Sequence, residues 1–210
     1  MQNTNQVPEP LIYGPAKYEY KKSCHAEIFQ ILQSFLKDEV FCDIKLETDD
    51  GGSIFGHKVV LASASPYFHG VFTNFKENNQ DIFVIKNLDS TALQLLVEFI
   101  YSGQVTVTDK NVQDLLSASN ILQLQDVKEV CCDFLQAQLC LTNCIGIFAL
   151  ADLHNCTKLL SSTELYIQQH FSEVVEGDKF LSLSSEQITK LIASEELKVP
   201  SEEKVFESVI

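Results

Sequence analysis

Strand-like runs in this chain are short, and all three lie before residue 86; nearly everywhere else the apolar residues recur at helical spacing. A strand buries every second residue, a helix every third or fourth. A chain patterned this way can build only a small sheet, so helices must supply most of its core. The first run is Cys42 to Glu47, where Ile44 and Leu46 alternate with polar neighbours. Asp49-Asp50-Gly51-Gly52 reads as a turn and Ser53 to Phe55 as a second strand, giving a hairpin over 42–56. Asp81 to Ile85 is the third run, and Val105-Thr106-Val107 is too short to assign.

Breakers are scarce. Three of the five prolines (Pro8, Pro10, Pro15) fall in residues 1–22, a segment poor in aliphatic residues and expected to be disordered. Residues 25–37 place Phe29, Leu32 and Leu36 on one helical stripe, with Ile28, Ile31 and Phe35 beside it. A short helix is expected over 57–64. Ser65-Pro66 then supplies an N-cap and a first-turn proline for a helix through Phe68 and Phe72. A helix from Ser90 carries Leu93, Leu96, Val97 and Ile100 on one face and stops at Gly103. Further helices are predicted over 109–121, 126–138, 142–154, 157–171, 185–193 and 202–210, with Ser184 and Gln187 at capping-box spacing. The loss of strands near residue 139 implies an α+β domain followed by an all-α one.

Charge excludes several functions. Fifteen Lys plus Arg against 29 Asp plus Glu leave a net charge of −14, the wrong sign for neutralising nucleic-acid phosphates or an anionic membrane surface. The longest apolar run, Ile145 to Ala151, is far short of the ~20 residues that cross a bilayer. No basic-then-apolar signal opens the chain, so the cytosol or the nucleus is the expected compartment, with the seven cysteines reduced. There is no glycine-rich phosphate loop and no G-x-S-x-G, so catalysis is not expected, nor a cofactor. Cys140 and Cys144 at i, i+4, with His154 and Cys156 beyond, have the composition of a zinc site. The blander reading is preferred: Cys131, Cys132, Cys140 and Cys144 sit in apolar helical surroundings, where free thiols pack as small hydrophobes. His57 and His69 read as helix-start or packed polar residues. Phe75 lies beyond its helix among polar residues, where an aromatic either folds back on the core or anchors a partner.

Several blocks together resemble one family. Phe41-Cys42-Asp43-Ile44 and the run from Gly56-His57-Lys58 to Ser65-Pro66-Tyr67-Phe68 are similar to the signature of BTB (POZ) domains. Phe99-Ile100-Tyr101-Ser102-Gly103, Leu122-Gln123-Leu124 and Cys131-Cys132-Asp133-Phe134-Leu135 continue it in register. Asn143-Cys144-Ile145-Gly146, Ala151-Asp152, Phe180-Leu181-Ser182-Leu183 and Ser201-Glu202-Glu203-Lys204-Val205-Phe206 resemble the BACK domain. This is the order of kelch-like proteins, and the match covers about residues 24–210. It implies a disordered tail over 1–22, a BTB/POZ domain (small sheet flanked by helices) over 23–139 and an all-α BACK domain over 140–210. No kelch repeats are present, and the last apolar helix reads as cut short, as in a fragment or short form.

The resemblance carries a function. Members act as substrate adaptors of cullin-3 RING ubiquitin ligases: the BTB domain homodimerises and docks the cullin-3 N-terminal domain. The start of BACK (the 3-box) adds a groove, and a kelch propeller holds the protein substrate. The family's hydrophobic-x-acid cullin contact corresponds to Phe75-Lys76-Glu77, in a segment one residue shorter than in many relatives, with Phe72 in the helix before it. The charged pocket of the dimer corresponds to Asp43 and Lys58, and the exchanged first helix to the stripe holding Phe29, Leu32 and Leu36. The rival expectation is a homo-oligomerising scaffold, a transcriptional or actin-cytoskeleton adaptor with no ligase role.

Overall fold

The computed structural model describes residues 26–74, 81–177, 180 and 183–192. The expected tail over 1–22 and the helix over 202–210 lie outside the described residues. Helix α1 (Ala26–Lys37) leads into β1 (Ile44–Thr48) and β2 (Ser53–Gly56), then α2 (Lys58–Ala64), α3 (Pro66–Asn74) and β3 (Ile82–Ile85). After these come α4 (Ser90–Ser102), α5 (Val112–Ile121) and α6 (Gln125–Ala137). Strand β1 takes the middle of the three-stranded sheet, antiparallel to β2 and parallel to β3. The parallel pairing is possible because β2, α2 and α3 supply the long connection it needs. Ile44, Leu46 and Thr48 face inward, and the outward Lys45 and Glu47 pair at 2.8 Å.

The turn between β1 and β2 fixes where α4 starts. Asp50 accepts from Thr48 Oγ1, from Gly52 N–H and, at 2.9 Å, from Ser90 N–H, which holds its carboxyl well below the usual carboxylate range. Gly52 has no room for a side chain: a Cβ there would sit 2.1 Å from Ser90 Cβ. Asp89 caps α4 through Ala92 N–H at 2.8 Å, and Gly103 ends the helix at φ 70°, a conformation only glycine takes without penalty.

One helix of the second module differs from expectation. Helices α7 (Cys144–Leu153) and α8 (Thr157–Gln169) are present, but the single helix predicted over 157–171 is two. It breaks at His170 (φ −115°, ψ 23°), whose Nδ1 reaches the Tyr166 carbonyl at 2.9 Å, and α9 (Phe171–Val175) continues beyond. Helix α10 (Ser185–Ile192) begins with the expected capping box: Ser184 N–H donates to Gln187 Oε1 at 3.1 Å and Gln187 N–H to Ser184 Oγ at 3.2 Å.

Two apolar cores result. The first gathers Leu46, Ile85, Leu61, Phe68, Leu96, Leu116 and Cys131 and is completed by Ile147, Ala151, Cys156 and Leu159 from beyond residue 139. The second joins Cys144, Phe148, Ile167, Phe171, Phe180 and Leu191. The long apolar run of α7 is thereby explained, since adjoining stripes of that helix enter different cores.

Candidate protein-docking surfaces

Three regions carry the residues singled out by sequence. The first is the end of α3. Phe72 is half-buried, its ring stacked on Phe68 (centroids 5.6 Å apart, 11° between planes) and edge-on to Phe83 at 6.5 Å. Most of this ring is committed to internal packing, so it braces the last turn of α3. Phe75 and Glu77 lie outside the described residues.

The second is the face formed by α1 and the start of α2. Helix α1 packs on the chain's own α4, and Gln33 Nε2 donates to the Tyr101 carbonyl at 2.8 Å. Leu32 and Leu36 turn toward that core, whereas Ile28, Phe29 and Ile31 remain about half exposed. Phe41 stands 77% exposed at φ 59°, edge-on to Phe35 at 5.3 Å, and Val59 is 75% exposed. Asp43 and Lys58 meet, but by an arrangement other than a buried ion pair: Asp43 Oδ1 accepts from the Lys58 backbone N–H at 2.7 Å, and Asp43 is exposed. The carboxylate thus caps the first turn of α2.

Beneath this face lies a polar triad. His57 is buried; its N–H donates to Tyr101 Oη at 2.9 Å, its Nδ1 lies 2.7 Å from the same oxygen, and its Nε2 lies 2.9 Å from the Val40 carbonyl. Because Nε2 faces a carbonyl, it donates its N–H to Val40, and in a neutral ring Nδ1 then accepts from the Tyr101 hydroxyl. His57 is thus a packed polar residue, as expected, and it holds the Val40–Phe41 turn in place. Exposure of Phe41 and Val59 had no local signal, because neither a left-handed phenylalanine nor an outward valine differs in sequence from a packed one.

The third region is the join between modules. Val130 on α6 and Leu141 in the turn before α7 are more than a third exposed. Cys131 and Cys144 are buried as expected and Cys132 is half-buried, but Cys140 is not packed: it lies exposed in that turn, outside either helix, while Cys156 is buried. Among the described residues no three Cys, His, Asp or Glu side chains converge as metal ligands, and none of their helices is long and apolar enough to cross a membrane.

Comparison with known proteins follows the same division. Residues 32–139 match the BTB/POZ domain, and residues 144–210 match BACK, the BTB And C-terminal Kelch model. Bovine and human Kelch-like protein 3 are each 46% identical over 183 residues, and human Kelch-like protein 2 is 44% identical over the same length. Each alignment covers 87% of this chain, but the chain spans only 31% of the relatives' length. The solved BTB domain of zebrafish PATZ1 superposes with a TM-score of 0.52 at 27% identity, covering 58% of this chain and 99% of that one. The chain belongs to the BTB/POZ family and carries, in order, the BTB and BACK regions of a Kelch-like protein.

Proposed function

We propose that this chain is the non-catalytic adaptor module of a cullin-3 RING ubiquitin ligase. It docks the cullin-3 N-terminal domain through the segment after α3 and through the first turn of BACK, and it pairs with a second copy through α1. The observation that carries this reading is the Kelch-like match running unbroken across both modules, which joins a BTB domain to the region where the family's second cullin groove begins. Physical features agree with it. Phe72 braces the end of α3, the Phe75-x-Glu77 element follows it directly in sequence, and Val130 and Leu141 leave apolar surface at the module join. The function needs no chemistry from this chain. It acts by proximity, bringing a substrate held by a kelch domain close to the transfer machinery.

The test is calorimetric titration of the cullin-3 N-terminal domain with the Phe75→Ala/Glu77→Ala variant. Removal of a desolvated aromatic anchor costs about 2 kcal/mol or more, a loss of over tenfold in affinity. Binding at wild-type strength would overturn the site assignment.

The second reading, a homo-oligomerising scaffold with actin or transcription partners and no ligase role, is favoured by the apolar face of Ile28, Phe29, Ile31, Phe41 and Val59. Self-association uses such a patch twice across a two-fold axis. Wild-type protein that dimerises yet ignores cullin-3 in the same titration would establish it.

A further inference from the structure

Two thiols remain unexplained by docking. Cys140 lies exposed in the α6–α7 turn with its Sγ 3.2 Å from Thr142 Oγ1. That hydroxyl, with the backbone N–H groups of Thr142 and Asn143, favours the thiolate and draws the thiol below its usual value. The neighbouring thiols of Cys131, Cys132 and Cys144 are pushed the other way by burial. Cys144 is fully buried, and its Sγ donates to the Leu141 carbonyl at 3.4 Å.

Backbone geometry sets the two residues one turn apart. Cys144 N–H donates to the Cys140 carbonyl at 2.9 Å, closing the same ring as one helical turn. That places the two Cα atoms roughly 6 Å apart, inside the span a disulfide accepts. An accessible thiol with stabilised charge therefore sits one turn from a protonated, sheltered one.

We propose that Cys140 and Cys144 form a redox-active dithiol, with Cys140 the site of attack on a peroxide and Cys144 the resolving thiol. The Cys140 thiolate attacks hydrogen peroxide: an S–O bond forms, the O–O bond breaks, hydroxide leaves, and the sulfur is oxidised to a sulfenic acid. Cys144 sulfur then attacks that sulfur. The S–S bond forms, the S–O bond breaks, and the departing hydroxide takes the Cys144 proton as water. Two thiols and one peroxide become one disulfide and two waters. The bond draws Cys144 out of the second core, away from the cluster of Phe148, Ile167 and Phe171, and loosens the head of BACK. The inference stands on the thiol pair alone and is independent of cullin docking.

Peroxide treatment of the folded full chain, followed by denaturing alkylation and cleavage before aspartates, tests it. Residues 133–151 are released as one peptide whose two cysteines are Cys140 and Cys144. The expected result is a peptide lighter by two hydrogens, unalkylated, and restored by dithiothreitol. Cys144→Ala is expected to leave a sulfenic acid at Cys140, captured by dimedone. Cys140→Ser, which removes an exposed side chain and leaves the core intact, is expected to keep Cys144 reduced. A wild-type peptide that stays fully alkylated under peroxide that oxidises free cysteine overturns the proposal, as does oxidation of Cys144 in the Cys140→Ser variant.

Discussion

Tyr101 spends one hydroxyl on two tasks. It accepts from the His57 backbone N–H and satisfies His57 Nδ1, and both residues are buried. Tyr101→Phe keeps the ring but leaves two buried polar groups of His57 without that partner. Urea denaturation is expected to show a loss of about 1–3 kcal/mol. The same hydroxyl has a pH signature. Burial pushes Tyr101 up to about 12, above the value of an exposed tyrosine, because the neutral form is favoured in the fold. The unfolded chain therefore ionises first as pH rises. The stability from this group is complete below pH 10 and is lost as pH climbs from there through about 12. Cys131, lifted to about 11 by burial, adds to the fall in the same direction. Denaturation midpoints are expected to drop across that window, less steeply in Tyr101→Phe; an identical slope in the variant would show that Tyr101 does not carry the effect.

Among the elements, α3 depends most on a single remote contact. Ser65 caps it by accepting from Phe68 N–H at 3.2 Å, and the same hydroxyl donates to the Leu122 carbonyl at 2.6 Å, at the end of α5. One buried side chain thus fixes where α3 starts and how it sits against α5. Ser65→Ala opens both bonds, and the expected cost is about 1–3 kcal/mol, with Ser65→Thr recovering part of it. If the end of α3 presents the docking segment, Ser65→Ala also weakens cullin-3 titration while leaving Phe75 and Glu77 in place. The cap itself was legible, since serine before proline is a helix start by local chemistry. Its second bond was not, because nothing near Ser65 in sequence names Leu122, 57 positions away.

At the scale of the molecule, α7 makes the two modules one cooperative unit. Ile147 and Ala151 enter the first core, Cys144, Ile145 and Phe148 the second. Lys128 adds a polar tie, donating from α6 to the His154 carbonyl at 2.6 Å and to Asn120 at 2.8 Å. Ile147→Ala and Phe148→Ala, though they empty different cores, are each expected to lower the same single unfolding transition, by about 2–5 kcal/mol. Two separated transitions in circular dichroism would show instead that the modules unfold independently. Much of this arrangement was written in the chain. Alternation specified β1 and short apolar runs bounded by turns specified β2 and β3, helical spacing specified the helices, and Ser65, Gly103 and the Ser184–Gln187 pair marked their ends, because these are local choices that backbone geometry makes within a few residues. The blocks of family resemblance likewise identified the BTB and BACK modules. Tertiary structure alone decided that one apolar helix serves two cores and that the α8–α9 break falls at His170. It also decided that Asp43 meets a backbone N–H rather than an ammonium, and that Phe41 and Val59 face outward while Leu32 and Leu36 face in. Hydrophobic burial is non-directional, so an apolar residue in sequence states only that it leaves water. Which neighbour covers it, or whether a partner must, is settled by contacts between segments far apart in the chain.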